Sequence, residues 1–344
     1  MKAVTFLLVS FLVMQNSIAQ YIENPGEYMT AVSNAHTEMN QRYMAYISAS
    51  SHGKRAKKVD KLRVAALESI TKSKYKTIEL PYYKGDNTLR QSSIDYIQMC
   101  YNVFNDDYAK IVNMEEIAEQ SFDDMQAYIL LKEKVNEKLH QAGEKMDSAS
   151  KLFAQKYNVK LVESNDALGE KMKVSGLISK YYNKIYLVFF KCNWQASALS
   201  KAINEKKIND AEQTRSSLLK YADEGIATLK SMEDFKGDAS LVASCRQLLQ
   251  FYKKSAEGDI PKILEFFLKE EAFDKLKKAI DAKSQSERTK EDIDAFNKSV
   301  KEINAAVGSF NQQNTNYVNT HNKNLQDWEN AVKAFYDRHM PYYK

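Results

Sequence analysis

Apolar residues recur at steps of three and four along nearly the whole of this chain, and few residues interrupt them. That spacing places one buried stripe on an α-helix. With only ten Gly and four Pro in 344 residues, little is available to break the helices or to turn strands. Asn24 is placed to cap a first helix, with Pro25 at its first position and Glu27 at its third. Its stripe runs Met29, Val32, His36, Met39, Tyr43 and Ile47. A second helix carries Val59, Leu62, Ala66 and Ile70, and a third, after Pro81, carries Leu89, Tyr96, Cys100 and Val103. A long fourth helix aligns Met125, Ile129, Val135, Leu139, Ala142, Met146, Ala149 and Phe153. No stretch alternates with the period of two that a half-buried strand needs. The fold class is all-α.

The pattern also repeats itself. Lys57-Lys58-Val59 recurs as Lys206-Lys207-Ile208, Lys84-Gly85-Asp86 as Lys236-Gly237-Asp238, and Glu119 to Asp123 as Glu270 to Asp274, at offsets of 149, 152 and 151. The first stripe maps onto Ile178, Tyr181, Ile185, Val188 and Cys192 in the same order. Matches in one order at nearly one offset point to a duplication. The expectation is two tandem antiparallel helical bundles of about four helices each, at 20–165 and 166–344. The shared Lys-Gly-Asp reads as a turn, with Gly85 and Gly237 ending one helix and Asp86 and Asp238 capping the next. Phe153 matches Phe335 only at an offset of 182, so the second copy is longer by about 31 residues, gained near 282–324. Ile293, Phe296, Val300, Ile303, Val307 and Phe310 keep the helical step there. That leaves one long helix or an extra helix pair. Six Asn between Asn311 and Asn324 favour a break.

Residues 1–19 have the form of a secretory leader. Lys2 gives a positive start, Ala3 to Met14 an apolar run too short to span a bilayer, and Ser17-Ile18-Ala19 a cleavage site before Gln20. No Cys follows to carry a lipid anchor, and no later run is long enough to span a membrane. The expected location is therefore the periplasm, the outer surface or the extracellular space. The net charge of +5, one less without Lys2, is too small and dispersed for a nucleic-acid surface. Cys100, Cys192 and Cys245 fall on apolar stripes and read as small buried hydrophobes, with a Cys192–Cys245 bridge left open.

Tests for known chemistry fail one after another. A di-iron bundle needs two Glu-x-x-His motifs, and only Glu137 to His140 fits. The His-x-x-Glu motif of secreted imelysin-like proteins is missing at all five His. Zinc-peptidase, haem-attachment, phosphate-loop and serine-hydrolase motifs are also missing. No cofactor or metal is expected. His36, His321 and Asn314 lie on core stripes, where polar residues fix helix register. Tyr82, Tyr83, Tyr342 and Tyr343 fall off the stripes, in a loop and at the C-terminus; the plainer reading is that they fold back over the bundle ends, and otherwise they are the candidate binding residues.

The leader, the Asn24-Pro25-Gly26-Glu27-Tyr28 start and the Phe335 to Pro341 ending resemble secreted or surface-exposed helical proteins of Gram-negative bacteria that carry no assigned activity. The expected function is non-enzymatic, through contact with a protein or cell-surface partner. Two alternatives are a small-ligand or glycan binder using a groove between the copies, and a hydrolase with an unrecognised site.

Overall fold

A computed structural model describes residues 22–161 and 167–343. The leader and cleavage site expected before Gln20 lie outside the described residues. Among the described residues ten α-helices follow one another: α1 Pro25–Ser51, α2 Ala56–Glu79, α3 Thr88–Asn102, α4 Tyr108–Ala118, α5 Phe122–Lys156, α6 Ala167–Asn204, α7 Ile208–Lys230, α8 Ser240–Glu257, α9 Asp259–Asp281 and α10 Lys290–His339. A π turn, Val103–Asp107, joins α3 to α4. Among the described residues the only β pairing is two isolated bridges, so the all-α expectation holds. α1 begins as its residues dictate, with the Asn24 carboxamide accepting from the Gly26 and Glu27 amides at 2.8 and 3.2 Å. That satisfies two amides that have no partner inside the helix.

The residues form two compact units. One holds residues 22–43, 62–105 and 137–161; the other holds residues 44–61, 106–136 and 167–343. The first unit centres on Tyr28, Val32, Tyr83, Leu89 and Phe153, all at most 2% exposed. In the second, α6, α7, α8 and the C-terminal half of α10 pack together, and α9 pairs with the rest of α10. Its core contains Ile178, Ile185, Leu199, Leu218, Leu241, Leu248 and Tyr252, each fully buried. At about 1.5–3 kcal/mol per buried large side chain, this shared interior is the main force holding the helices together.

One open alternative closes and one expectation fails, each for a stated reason. First, α10 does not break at its asparagines. It runs unbroken for 50 residues, because Tyr317, Asn324, Trp328 and Phe335 are buried along one face and packing outweighs low helix propensity. Asn324 itself donates back to the Thr320 carbonyl at 2.8 Å and accepts from Gln247 at 3.0 Å. Second, Gly85 and Gly237 do not end helices. Lys84 and Gly85 have φ of 48° and 81°, and Lys236 and Gly237 have 51° and 82°. They are the central pairs of turns that exchange two backbone hydrogen bonds, Tyr83 with Asp86 and Phe235 with Asp238. Positive φ at both central residues is the type I′ arrangement. Asp86 and Asp238 accordingly sit one residue before the caps, which are Asn87 and Ala239.

All three cysteines are free and buried, so Cys192 and Cys245 do not form the bridge left open by their positions. Burial pushes the Cys100 and Cys192 thiols up to about 12, which keeps them protonated.

Among the described glycines, Gly225 has the tightest surroundings. A Cβ there would lie 2.5 Å from Leu249 Cδ2 and 2.9 Å from Val188 Cγ1, whereas a Cβ at Gly176 would meet nothing. Gly225→Ala is therefore expected to lower stability by about 1 kcal/mol or more through overpacking. Gly176→Ala should raise it by about 0.5–1 kcal/mol. Urea unfolding of the two variants checks the opposite signs.

Candidate functional site

The four candidate tyrosines have separate fates. Tyr83 is interior, 2% exposed, and its hydroxyl donates to the Glu23 carbonyl at 2.7 Å. It presents no surface to a partner. Tyr82 is exposed, with the Arg90 guanidinium 5.1 Å from its ring centre. Tyr342 stacks on the His52 ring at 3.8 Å and donates to Asp337 at 3.0 Å. The Tyr343 amide donates to the Ser48 hydroxyl, and Lys171 lies 5.4 Å from its ring centre. Tyr342 and Tyr343 thus fold back onto their own unit.

The strongest polar chemistry lies at the two Lys-Gly-Asp turns. In the first unit, Asp86 Oδ1 accepts from the Thr88 amide and hydroxyl at 2.8 and 2.6 Å. Its Oδ2 accepts from Lys156 Nζ at 2.7 Å and the Tyr157 hydroxyl at 3.0 Å. The carboxylate is 5% exposed. Beneath it, Tyr28, Tyr83, Phe153 and Tyr157 form an aromatic nest with centroids 4.6–5.6 Å apart.

The second unit has the same construction. Asp238 Oδ1 accepts from the Ser240 amide at 2.9 Å. Its Oδ2 accepts from Arg338 at 2.6 Å and His339 Nε2 at 2.7 Å, with the carboxylate 8% exposed. Tyr181, Phe235, Phe335 and His339 make the aromatic nest. Even the ring tilts agree: Tyr28–Tyr83 and Tyr181–Phe235 both lie at 5.2 Å and 44°.

Burial alone would raise both carboxyls. The hydrogen bonds from Lys156, Thr88 and Tyr157, and from Ser240, His339 and Arg338, more than offset it and hold them far below the usual range. Sequence reasoning found the aspartates but missed their partners. The missed signal is a shared ending: Phe153, Lys156 and Tyr157 have the spacing of Phe335, Arg338 and His339, an aromatic ring followed by a cation three residues on.

The His339–Asp238 pair invites comparison with a catalytic triad. In a triad the imidazole stands between the nucleophile and the carboxylate. Here the carboxylate stands in the middle, bonded by Ser240, Arg338 and His339 together. That order activates no hydroxyl; it neutralises and fixes a buried charge.

Other polar residues are similarly engaged. His36 Nε2 meets the Ser93 hydroxyl at 2.6 Å, and burial lowers its pKa to about 4. Tyr252 donates to Asn193 at 2.9 Å and lies 3.0 Å from His321 Nε2 inside the second core. Glu137 accepts from Gln141, and His140 lies against Glu144 at the surface. Among the described residues no three of His, Cys, Asp and Glu come together to hold a metal ion, and no helix is long and apolar enough to cross a membrane.

A second concentration of side chains belongs to the second unit. Tyr182 packs on Tyr186 and Tyr336 at 5.4 and 5.2 Å. Lys132 Nζ lies 5.1 Å from the Tyr128 ring centre. Burial lowers the Lys132 pKa, against the opposing pull of Glu115. A depression of about 400 Å³ on α5 is lined by Gln141, Glu144, Lys145, Ser148, Ala149 and Leu152. All six come from one helix, so it is an open face that encloses nothing.

Set against family models, characterised proteins and solved structures, the chain matches none of them.

The buried ionisable groups imply two separate acid transitions. His36 is held near 4 against about 6.5 when unfolded, so the unfolded chain binds the extra proton. Its contribution is full above pH 6.5 and lost as the pH falls toward 4. The aspartates, held below their unfolded value near 3.9, keep their contribution above about pH 4 and lose it below. Stability is therefore expected to fall by roughly 2 kcal/mol between pH 7 and 4.5. His36→Gln should make that window shallower, leaving the part that buried His321 adds, and should keep the steeper fall below pH 4 in place. Urea midpoints measured across pH would check both.

Proposed function

We propose that the chain is a tandem duplication of one antiparallel helical bundle, its second copy extended, and that it works outside the cytoplasm as a non-enzymatic protein contacting a protein or cell-surface partner. One observation carries the reading: the two desolvated aspartate clusters match ring for ring, and both are closed by groups of their own chain. Polar chemistry spent in this way holds helix ends together. What the protein then has for acting on its surroundings is its exposed helix faces.

The ring geometry supports descent from one unit more sharply than the stripes do. Tyr28 corresponds to Tyr181, Tyr83 to Phe235, Asp86 to Asp238, Phe153 to Phe335 and Tyr157 to His339. This register pairs Tyr181 with Tyr28, one helical turn from the Val32 that the stripe alignment gave it. The match of Glu119–Asp123 to Glu270–Asp274 gains no such support, since the first spans the start of α5 and the second lies inside α9. The copies at 20–165 and 166–344 are units of descent in this proposal. The compact units divide the residues differently, because Met44–Lys61 and Asp106–Asn136 belong with the later part of the chain. The extra length of the second copy is shared among a longer α9, a longer turn and a longer α10.

The export part of the reading rests on the leader, and the likeness to Gram-negative surface proteins on the two ends of the chain. Intact-mass measurement of protein recovered outside the cytoplasm should give a chain starting at Gln20; retention of Met1 would reject export by this leader. For the rest, Asp86→Asn and Asp238→Asn should each lower stability by about 2 kcal/mol, the scale of a lost charged hydrogen-bond set. Unequal effects, one negligible and one large, would argue against equivalent clusters. A hydrolytic activity present in the wild type and lost in a still-folded Asp238→Asn variant would replace the non-enzymatic reading.

A further inference from the structure

The N-terminal half of α10 carries a periodic face with no partner among the described residues. Its heptad positions alternate between two roles. Phe296, Ile303 and Phe310 are partly buried; Phe296 stacks with Phe273 at 5.8 Å and Phe310 with Phe266 at 4.3 Å, both on α9. Ile293, Val300 and Val307 stand beside that seam, and Ile293 and Val307 are 49% and 39% exposed. Next to them, again every seventh residue, come Asn297, Asn304, Asn311 and Val318, all exposed. A strict seven-residue repeat keeps one line of side chains in contact with another helix, yet α9 covers only the phenylalanine side.

This face also lacks charge. From Ile303 to Asn322 the chain holds no Asp, Glu, Lys or Arg, although 28% of its residues are charged. The other helix of the same hairpin gives the contrast: α9 exposes Lys269, Glu271, Asp274, Lys275, Lys277 and Lys278, as a solvated helix does. Depletion of charge is the compositional mark of an interface core. Gly308 adds an independent oddity. A glycine destabilises a helix interior relative to alanine, and a Cβ there would touch nothing among the described residues.

We propose that this face of α10 binds a second copy of the chain, antiparallel, with the two-fold axis at Val307–Gly308. A neutral row of amides and β-branched residues is complementary to itself: each amide both donates and accepts, and a two-fold interface requires self-complementarity. About that axis, Asn304 faces Asn311 of the second copy and Asn297 faces Val318, each pair occurring twice. Gly308 at the crossing lets the two backbones approach. The strip is roughly 45 Å long and one helix wide, which places the contact at the small end of specific interfaces and the affinity in the micromolar range.

Sedimentation velocity of the purified protein across micromolar concentrations tests this. The wild type is expected to show a concentration-dependent dimer; a monomer throughout would overturn the proposal. Asn304→Lys with Asn311→Lys sets like charges opposite each other and should weaken the dimer at least about 100-fold. Asn304→Lys with Asn311→Glu carries as many new charges but sets opposite signs together, and should dimerise at least as well as the wild type. Loss of the dimer in both pairs, or in neither, would reject the antiparallel arrangement. Lys275→Glu with Lys278→Glu, on the charged face of α9, should leave the dimer intact. The inference deepens the reading of a protein that acts through exposed helix faces; a monomer that still bound a cell-surface partner would end the dimer and spare that reading.

Discussion

Each unit depends on a carboxylate withdrawn from water at a tight turn and answered by the end of a long helix. Asp86 is reached by Lys156 and Tyr157 at the end of α5 and just beyond it, and Asp238 by Arg338 and His339 at the end of α10. A buried charge left unpaired costs several kcal/mol, so the turn and the helix end are stable together and unstable apart. The bond spans 70 residues in one case and 101 in the other. Hydrophobic stripes bring the helices into contact with tolerance for sliding; a charged pair at the bundle end has one register. The aromatic nest beneath excludes water and strengthens the pair it supports.

The helices were legible because their signals are local. Asn24-Pro25-Gly26-Glu27 announced the start of α1, and the stripes of α1, α2, α3 and α5 lie on helices as read. The site was legible only in part. Lys-Gly-Asp was recognised as a turn, yet it was assigned to the ends of adjoining helices. Nothing local distinguishes a glycine that closes a helix from one in a two-residue turn with positive φ. Tyr83 lies in the loop between α2 and α3 as its place off every stripe implies, but its burial, which comes from Tyr28 and Phe153, distant in sequence, is not written locally. The asparagines of α10 misled in the same way: intrinsic propensity is worth tenths of a kcal/mol per residue, less than one buried Trp328 or Phe335 contributes.

Polar residues inside the cores trade stability for definition. Tyr252 joins Asn193 on α6 to the neighbourhood of His321 on α10, so three helices agree on one vertical setting. His36 and Ser93 do the same for α1 and α3. Both histidines have lowered pKa values from burial, and a neutral imidazole can bond in an apolar setting where a charged one could not. The cost is sensitivity to acid.

The π turn at Val103–Asp107 has a consequence of its own. One additional residue in a helical ladder advances everything after it by about 100°. Before the turn, Leu89, Ile97 and Cys100 are buried with the first unit; after it, Ala118 is buried in the core of the second. The boundary between the units falls inside the turn, at Asn105 and Asp106. The single extra residue thus resets the phase of the ladder between α3 and α4, so the apolar step read along α3 does not carry on into α4.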